Sequence, residues 1–227
     1  MNEKGFVSAI IVAAGSSRRM GGVNKLLLKV GGKTVLERTV EAFENNCNTH
    51  EIIIAARAED IEEYKALLSS CGKVKKIVAG GETRQKSVAN ALAACDERTG
   101  LVAIHDGARP FVTQKIINTT ILAAFECGAA ACAVPVKDTV KIIDGNSFII
   151  DTPPRETLRA VHTPQCFKKS IYTECVNKLG EKAKDMTDDC RLAELCGVSV
   201  KIVESSYTNI KITTPEDIPF AESILEG

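Results

Sequence analysis

Arg18, Arg19 and Lys25 follow closely behind a glycine, and that combination is suited to handling phosphates. Gly15 ends the apolar run Val7 to Ala14, and a glycine there lets backbone N–H groups approach an anion without a side-chain clash. Fixed cations beside such a loop hold a polyphosphate and neutralise charge as it develops during transfer. Spacing excludes two common phosphate loops. The dinucleotide fingerprint G-x-G-x-x-G fails because the glycines after Gly15 are Gly21 and Gly22. Gly31-Gly32-Lys33-Thr34 imitates the end of a Walker loop, but Leu27 stands where the first glycine of that motif belongs. Taken alone, Arg18 and Arg19 read more readily as a solvated basic loop.

Two further stretches carry the same kind of chemistry. Gly80-Gly81-Glu82-Thr83-Arg84-Gln85-Lys86-Ser87 places a double glycine and polar side chains at the start of a helix, which is either a ligand corner or an ordinary strand–helix turn. His105-Asp106-Gly107-Ala108-Arg109-Pro110 follows the apolar strand Leu101 to Ile104. An acid and an arginine are costly to place at the end of a buried strand unless a charged ligand meets them there. Open α/β sheets bind ligands at that carboxyl edge. With the loop after Val7–Ala14, three strands end in polar, glycine-containing corners on one side of the sheet.

The elements that position these corners alternate. Apolar runs at Val7–Ala14, Glu51–Ala56, Val74–Ala79, Leu101–Ile104 and Ala129–Val136 read as buried strands, and helical patterns separate them. Thr34 and Glu37 have capping-box spacing ahead of a helix to about Asn46. Further helices are predicted from about Ala58 to Ser70, from the Gly80–Ser87 corner to about Cys95, and from Thr113 to Cys127. The fold class is α/β, with a mostly parallel twisted sheet covered by helices on both faces. Lys137 to Ile150 breaks the rhythm: it alternates polar and apolar residues around Asp144-Gly145, the signature of a β-hairpin. It reads as an arm, about 137–159, leaving the body toward a partner subunit, and Asp151 to Gln165 returns from it. Helices at Ser170–Leu179 and Asp185–Cys196, strands at Val198–Val203 and Asn209–Thr213, and a helix opened by Thr214-Pro215 complete the chain. Residues 1–227 form one domain in this reading.

Composition removes several classes. The 227 residues hold 29 basic and 29 acidic side chains, so no global field recruits nucleic acid or a membrane, and any phosphate-binding charge is local. Aromatics are 4% with no Trp, which argues against base-stacking platforms. The apolar start is too short for a membrane span and lacks a signal-peptide layout, so cytoplasmic residence is expected. Nine cysteines with no C-x-x-C pair, and only His50, His105 and His162 beside them, form no zinc pattern and read mostly as buried, reduced thiols.

A-A-G-x-x-x-R-M with a lysine a few residues on resembles the signature of nucleotidyltransferases that make CDP-, UDP- and GDP-linked metabolites. With AAGSSRRM and Lys25, GGETRQKS, HDGARPF, PVKDT, the PPR at 153–155, HTPQCF, MTDD and NIKIT in order, the chain closely resembles the 2-C-methyl-D-erythritol 4-phosphate cytidylyltransferase family of the non-mevalonate isoprenoid pathway, from about residue 7 to 225. The resemblance implies a Rossmann-like three-layer nucleotidyltransferase fold and a homodimer formed through the hairpin arm. It implies transfer of CMP from CTP to the polyol phosphate with release of pyrophosphate, and a divalent cation such as Mg²⁺ held mostly by the CTP phosphates, with Asp106 beside it. Ala13, Ala14 and Gly15 would begin the loop around the CTP phosphates, with Arg19 and Lys25 stabilising the transition state. Gly81, Glu82 and Ser87 would recognise cytosine, with Asp106 and Gly107 by the ribose and sugar phosphate. Asp106, Arg109, Thr139, Arg155, Thr163, Thr187 and Lys211 would form the acceptor site, and Arg155 and Lys211 would position the acceptor, with Arg155 coming from the partner's arm. Asn24 replaces the usual proline, Leu26 a frequent glutamine, Glu82 an aspartate and Gly107 an alanine. A ribitol 5-phosphate cytidylyltransferase shares most of these blocks and is the alternative reading. The chemistry brings two anions together, so the task is charge screening and in-line geometry rather than supply of a nucleophile.

Overall fold

Residues 5–15, 22–180 and 186–226 are described by the computed structural model. In chain order the elements are β1 (Phe6–Ala13), β2 (Lys29–Val30), β3 (Lys33–Thr34), α1 (Val35–Glu44), β4 (Glu51–Ala56), α2 (Ile61–Leu67), β5 (Val74–Ala79), α3 (Arg84–Ala94) and β6 (Thr99–Asp106). Then follow α4 (Gln114–Cys127), β7 (Ala129–Pro135), β8 (Ile142–Ile143), β9 (Ile149–Asp151), β10 (Arg159–Lys168), α5 (Lys169–Leu179), α6 (Asp189–Leu195), β11 (Lys201–Glu204) and α7 (Asp217–Glu226).

One seven-stranded sheet runs β11-β7-β10-β6-β1-β4-β5. All neighbours pair parallel except β10, which is antiparallel to both β6 and β7. Alternate residues of the central strands feed two separate cores. Ala9 and Ile11 of β1 join α1, α2, α4 and α7 on one face, while Ile10 joins α3, α5 and α6 on the other. That period of two, buried both ways, is why the strands read as unbroken apolar runs. The result is the predicted three-layer, mostly parallel α/β fold.

Several local expectations hold in detail. Thr34 and Glu37 form the capping box, with Glu37 N–H donating to Thr34 Oγ1 at 3.1 Å and Thr34 N–H to Glu37 Oε2 at 2.7 Å. Thr113 caps α4, and Gly128 ends it at a φ of 91°, where an L side chain would be strained. Others are corrected. β5 is not buried throughout: it is an edge strand exposing Lys75 and Lys76, charges that discourage edge-to-edge pairing. No strand forms at 209–213; the segment is held by Ile212 N–H donating to Ala108 O at 2.8 Å. α7 starts at Asp217 rather than beside Thr214, because the Asp217 carboxylate accepts from the N–H groups of both Thr213 and Thr214. The return stretch 151–165, to which the sequence assigns no element, runs into β10, inserted between β6 and β7. Two of the nine thiols, Cys47 and Cys127, are exposed, and Cys132, Cys166, Cys175 and Cys190 are buried as expected.

The hairpin is present as β8 and β9, which pair antiparallel in their own small sheet. Its turn is longer than the two residues Asp144-Gly145 suggested. The Asp144 carboxylate accepts from the N–H groups of Asn146 and Phe148, both at 2.9 Å, and Ser147 takes the positive φ of 68°. The arm's root is fixed by Tyr207, whose hydroxyl donates to Pro135 O at 2.8 Å and whose ring lies 3.8 Å from the Lys137 ammonium.

Candidate functional site

A cleft of about 380 Å³ opens at the carboxyl edge of the sheet, beside the ends of β1 and β6. The chain crosses from β1 to β4 on one side and later returns to β6 on the other, so the cleft lies at a topological switch point. Ala13, Ala14, Gly15 and Lys25 line it from the first corner, Gly81, Glu82 and Ser87 from the second, and Asp106 and Lys211 from the third. Nine residues assigned from sequence, far apart in the chain, are therefore brought together. Arg18 and Arg19 lie outside the described residues.

The glycines at the second corner permit a close approach. A Cβ on Gly80 would collide with the Ala14 side chain and press on Ser87 Oγ, so the first two corners could not meet with any larger residue there. Ser87 spends its hydroxyl internally, accepting from Gly81 N–H at 3.0 Å and donating to Thr83 O at 2.9 Å. It shapes the corner more directly than it offers a donor to a ligand.

Side-chain hydrogen bonds from Asn24 tie down the Lys25 segment, which lacks a proline. Asn24 Oδ1 accepts from Leu26 N–H at 3.1 Å, and Asn24 Nδ2 donates to Tyr64 Oη at 2.9 Å. Burial raises the Tyr64 phenol to about 12, so it stays neutral and available as an acceptor. Leu26, in place of a glutamine, is 5% exposed and part of the core. Lys25 Nζ donates to Ile212 O at 2.7 Å, which ties this loop to the segment carrying Lys211.

Asp106 is the electrostatic centre. Lys211 Nζ lies 2.7 Å from its Oδ2, Arg84 Nε 3.5 Å from its Oδ1, and Arg109 Nε 3.8 Å from its Oδ2. Burial alone would raise its pKa, but Lys211 and then Arg84 outweigh that and hold the carboxyl well below the usual range. Arg84 was not singled out from sequence, yet it lines the cleft and also reaches Asp189 Oδ2 at 2.5 Å. A legible signal existed: Arg84 begins α3, where the helix dipole disfavours a cation unless acids offset it.

Other assigned residues stand elsewhere. Gly107 lies just beyond the strand end, its N–H donating to Val12 O at 2.9 Å, and does not line the cleft. Arg109 is buried behind Asp106, with Nη1 donating to Asn209 O at 2.7 Å. Thr163 is buried, and its hydroxyl accepts from Asp106 N–H at 3.1 Å. Thr139 and Arg155 are exposed on the arm side, Arg155 Nη1 donating to Lys137 O at 2.9 Å, and Thr187 is exposed before α6. None of these four side chains, Arg109, Thr139, Arg155 and Thr187, lines the cleft.

Beneath the cleft, His105 is fully buried. Its Nε2 lies 3.2 Å from Arg109 O, an acceptor only, so Nε2 carries the proton. Nδ1, 3.0 Å from Thr163 Oγ1, then accepts the threonine hydroxyl. That relay needs a neutral ring, and burial lowers the pKa to about 4. The unfolded chain takes up this proton near pH 6.5, the folded chain only near 4, so the unfolded state binds more protons between those values. Stability is full above the higher value and is lost as pH falls through the window, by about 2 kcal/mol between pH 7 and pH 5. His162, lowered to about 4 by its partial burial, adds in the same direction. Urea unfolding of wild type and His105→Gln at the two pH values checks this: the variant is less stable at pH 7 but shows a flatter dependence. An equal slope in both would remove His105 as the cause.

Among the described residues no group of three His, Cys, Asp or Glu could hold a metal, and no helix is long and apolar enough to cross a membrane. Two carboxylates, Glu82 and Asp106, line the cleft, and so sparse a set suits an ion that keeps most of its oxygens from phosphates and water.

Comparison with known proteins places this architecture. The family model for 2-C-methyl-D-erythritol 4-phosphate cytidylyltransferase (IspD) matches residues 7–227. A protein of that name from Clostridium botulinum is 46% identical over 222 residues, 96% of this chain and 97% of its own length. One from Caldanaerobacter subterraneus is 46% identical over 223 residues, 96% of this chain and 98% of its own. The crystal structure of a 4-diphosphocytidyl-2C-methyl-D-erythritol synthase from Anaerococcus prevotii superposes with a TM-score of 0.90 at 37% identity, covering 99% of this chain and 98% of that one. With this fold, these corners and this extent of match, the chain belongs to the 2-C-methyl-D-erythritol 4-phosphate cytidylyltransferase family.

Proposed function

We propose that the chain transfers CMP from CTP to 2-C-methyl-D-erythritol 4-phosphate, giving 4-diphosphocytidyl-2-C-methyl-D-erythritol and pyrophosphate in isoprenoid precursor synthesis. The observation that carries this reading is that Lys25 and Lys211 line one cleft with Asp106 at the glycine corners of the sheet edge. An oxygen of the acceptor phosphate attacks the α-phosphorus of CTP, the new P–O bond forms, and the bond to the β-phosphate oxygen breaks in line. The acceptor phosphate is already ionised, so no general base is needed, and the neutral His105 behind the cleft agrees with that. Lys25, with Arg19 from the same loop, screens the triphosphate and stabilises charge on the departing pyrophosphate. Gly81, Glu82 and the corner that Ser87 holds receive cytosine, and Asp106 faces the ribose. A magnesium ion held by the CTP phosphates, with Asp106 as its protein ligand, would withdraw charge from the reacting phosphates.

Lys211 bridges the nucleotide and acceptor sides, since it pairs with Asp106 and projects into the cleft. Thr187 and Lys211 hold the acceptor from this protomer. Thr139 and Arg155 complete the site from the arm of a second copy, which makes the active enzyme a homodimer of nucleotidyltransferase domains spanning residues 1–227. What supports the second copy is the arm's uncovered apolar surface: Ile142, Ile143, Ile149 and Ile150 are exposed, as is Phe148 at 71%. The match to the methylerythritol enzymes along residues 7–227 favours that acceptor over ribitol 5-phosphate. A single methyl in an apolar pocket is worth about 1–3 kcal/mol, so the preference lies at roughly 10- to 200-fold in kcat/KM. Initial rates with CTP, Mg²⁺ and each acceptor in turn decide it, and equal use or a preference for ribitol 5-phosphate overturns the acceptor assignment.

A further inference from the structure

Arg84 sits where two sides of the cleft must be held in register. Its Nη1 reaches Asp189 Oδ2 at 2.5 Å while its Nε faces Asp106 Oδ1 at 3.5 Å. Asp189 is fully buried, and its other oxygen, Oδ1, accepts from the Tyr172 hydroxyl at 2.6 Å. The N–H groups of Asp189 and Cys190 donate to Gln165 Oε1 at 3.0 and 3.1 Å, and Gln165 Nε2 donates to Asp188 Oδ2 at 3.0 Å. Next along α3, Gln85 Nε2 donates to Met186 O. The first turn of α3, directly behind the glycine corner, thus grips the segment 186–189 that carries Thr187.

An arginine at the start of a helix works against the helix dipole, and a buried aspartate is costly unless paired. Each charge offsets the cost of the other, and the cleft-side nitrogen of the same guanidinium is directed at Asp106. The planar fork reaches two carboxylates at fixed separation, which an ammonium cannot do.

We propose that Arg84 is a positioning residue for the transfer: through Asp189 it fixes the acceptor-side segment 186–189 against the nucleotide corner. Its place in the reaction is indirect. It sets the relative position of the groups that hold the two phosphates, so losing it misplaces the acceptor while leaving the base corner in place. This rests on the assignment of Thr187 and Lys211 to the acceptor.

The test uses the full chain with CTP, Mg²⁺ and 2-C-methyl-D-erythritol 4-phosphate. Arg84→Met and Asp189→Asn are expected to lower kcat/KM for the acceptor by about 10- to 100-fold, the scale of a misplacement near 1 Å. Binding of CTP with Mg²⁺, measured by calorimetry, should stay within about threefold of wild type. Because both changes cut one link, the double variant should be no worse than the poorer single one. Arg84→Lys, which keeps the charge and the fold, should lose about tenfold for the acceptor and covers the case in which Arg84→Met does not fold. Equal losses in CTP affinity and acceptor use, additive single effects, or a fully active Arg84→Lys would overturn the proposal. Failure of the wild type to use the acceptor would instead overturn the functional reading beneath it.

Discussion

Lys25→Ala should lower kcat by about 10²-fold or more at saturating CTP and acceptor, the loss seen when one preorganised charge-stabilising donor is removed. That corresponds to about 2.7 kcal/mol of transition-state stabilisation. The geometry supports an effect on kcat more than on binding. Lys25 is half-buried, its loop is held by Asn24 and Tyr64, and its ammonium is anchored on Ile212 O beside the Lys211 segment. A cation fixed in advance costs no reorganisation as charge moves onto the leaving pyrophosphate. Other contacts to CTP, at the Gly81 corner and along Ala13 to Gly15, remain in the variant, so nucleotide affinity should fall much less than kcat. Steady-state rates with calorimetric CTP binding separate the two, and a kcat within about threefold of wild type would remove Lys25 from that role.

The second large effect is a recovery. Arg155→Ala and Lys25→Ala should each be nearly inactive, yet the two proteins unfolded and refolded together should regain activity. Arg155 does not line the cleft of its own chain: it is exposed on the arm side and its Nη1 donates to Lys137 O. If the arm reaches across a two-fold axis, a mixed dimer holds one site with both defects and one with neither. Random mixing puts half the protein in mixed dimers with one good site of two, so activity should reach about a quarter of wild type. Mixtures shown to contain mixed dimers but lacking activity would overturn the crossed site, and a monomer in sedimentation would overturn the dimer itself. The uncovered side chains Ile142, Ile143, Phe148, Ile149 and Ile150 give the physical motive, since a patch of that kind in water favours a partner.

Family resemblance aside, the sequence alone determined the layout of the main body. Unbroken β-branched runs at β1 and β4, the Thr34–Glu37 box and Gly128 are local signals whose physics acts within a few residues, and each was realised as read. The three polar corners were legible for the same reason: glycines and charges set directly after apolar runs stand out locally, wherever the strands lie. β10 was not legible, because His162-Thr163-Pro164-Gln165 breaks any apolar alternation. The strand is made on either side of His162-Thr163-Pro164, by Arg159–Val161 against β7 and Gln165–Lys168 against β6 and β7, while Asp106 N–H holds Thr163 in the irregular stretch between, and none of these partners is nearby in the chain. Edge or centre is likewise a tertiary property, which is why Val74–Ala79 looked buried and proved to be a half-exposed edge.

Only the folded chain decided how the charges are shared. Asp106, Arg84, Lys211 and Asp189 come from four separate stretches, and which cation meets which carboxylate depends on strand order and helix docking. Arg84 was passed over because the acids that hold it lie outside its own stretch: Asp106 ends β6 and Asp189 begins α6. Thr163 and Arg109, assigned to the acceptor from the resemblance, are buried against Asp106 by tertiary contacts that no local pattern announces. Residue type fixed what chemistry the chain could attempt. The long-range pairing of buried charges, which no short-range propensity encodes, fixed which atoms face the cleft.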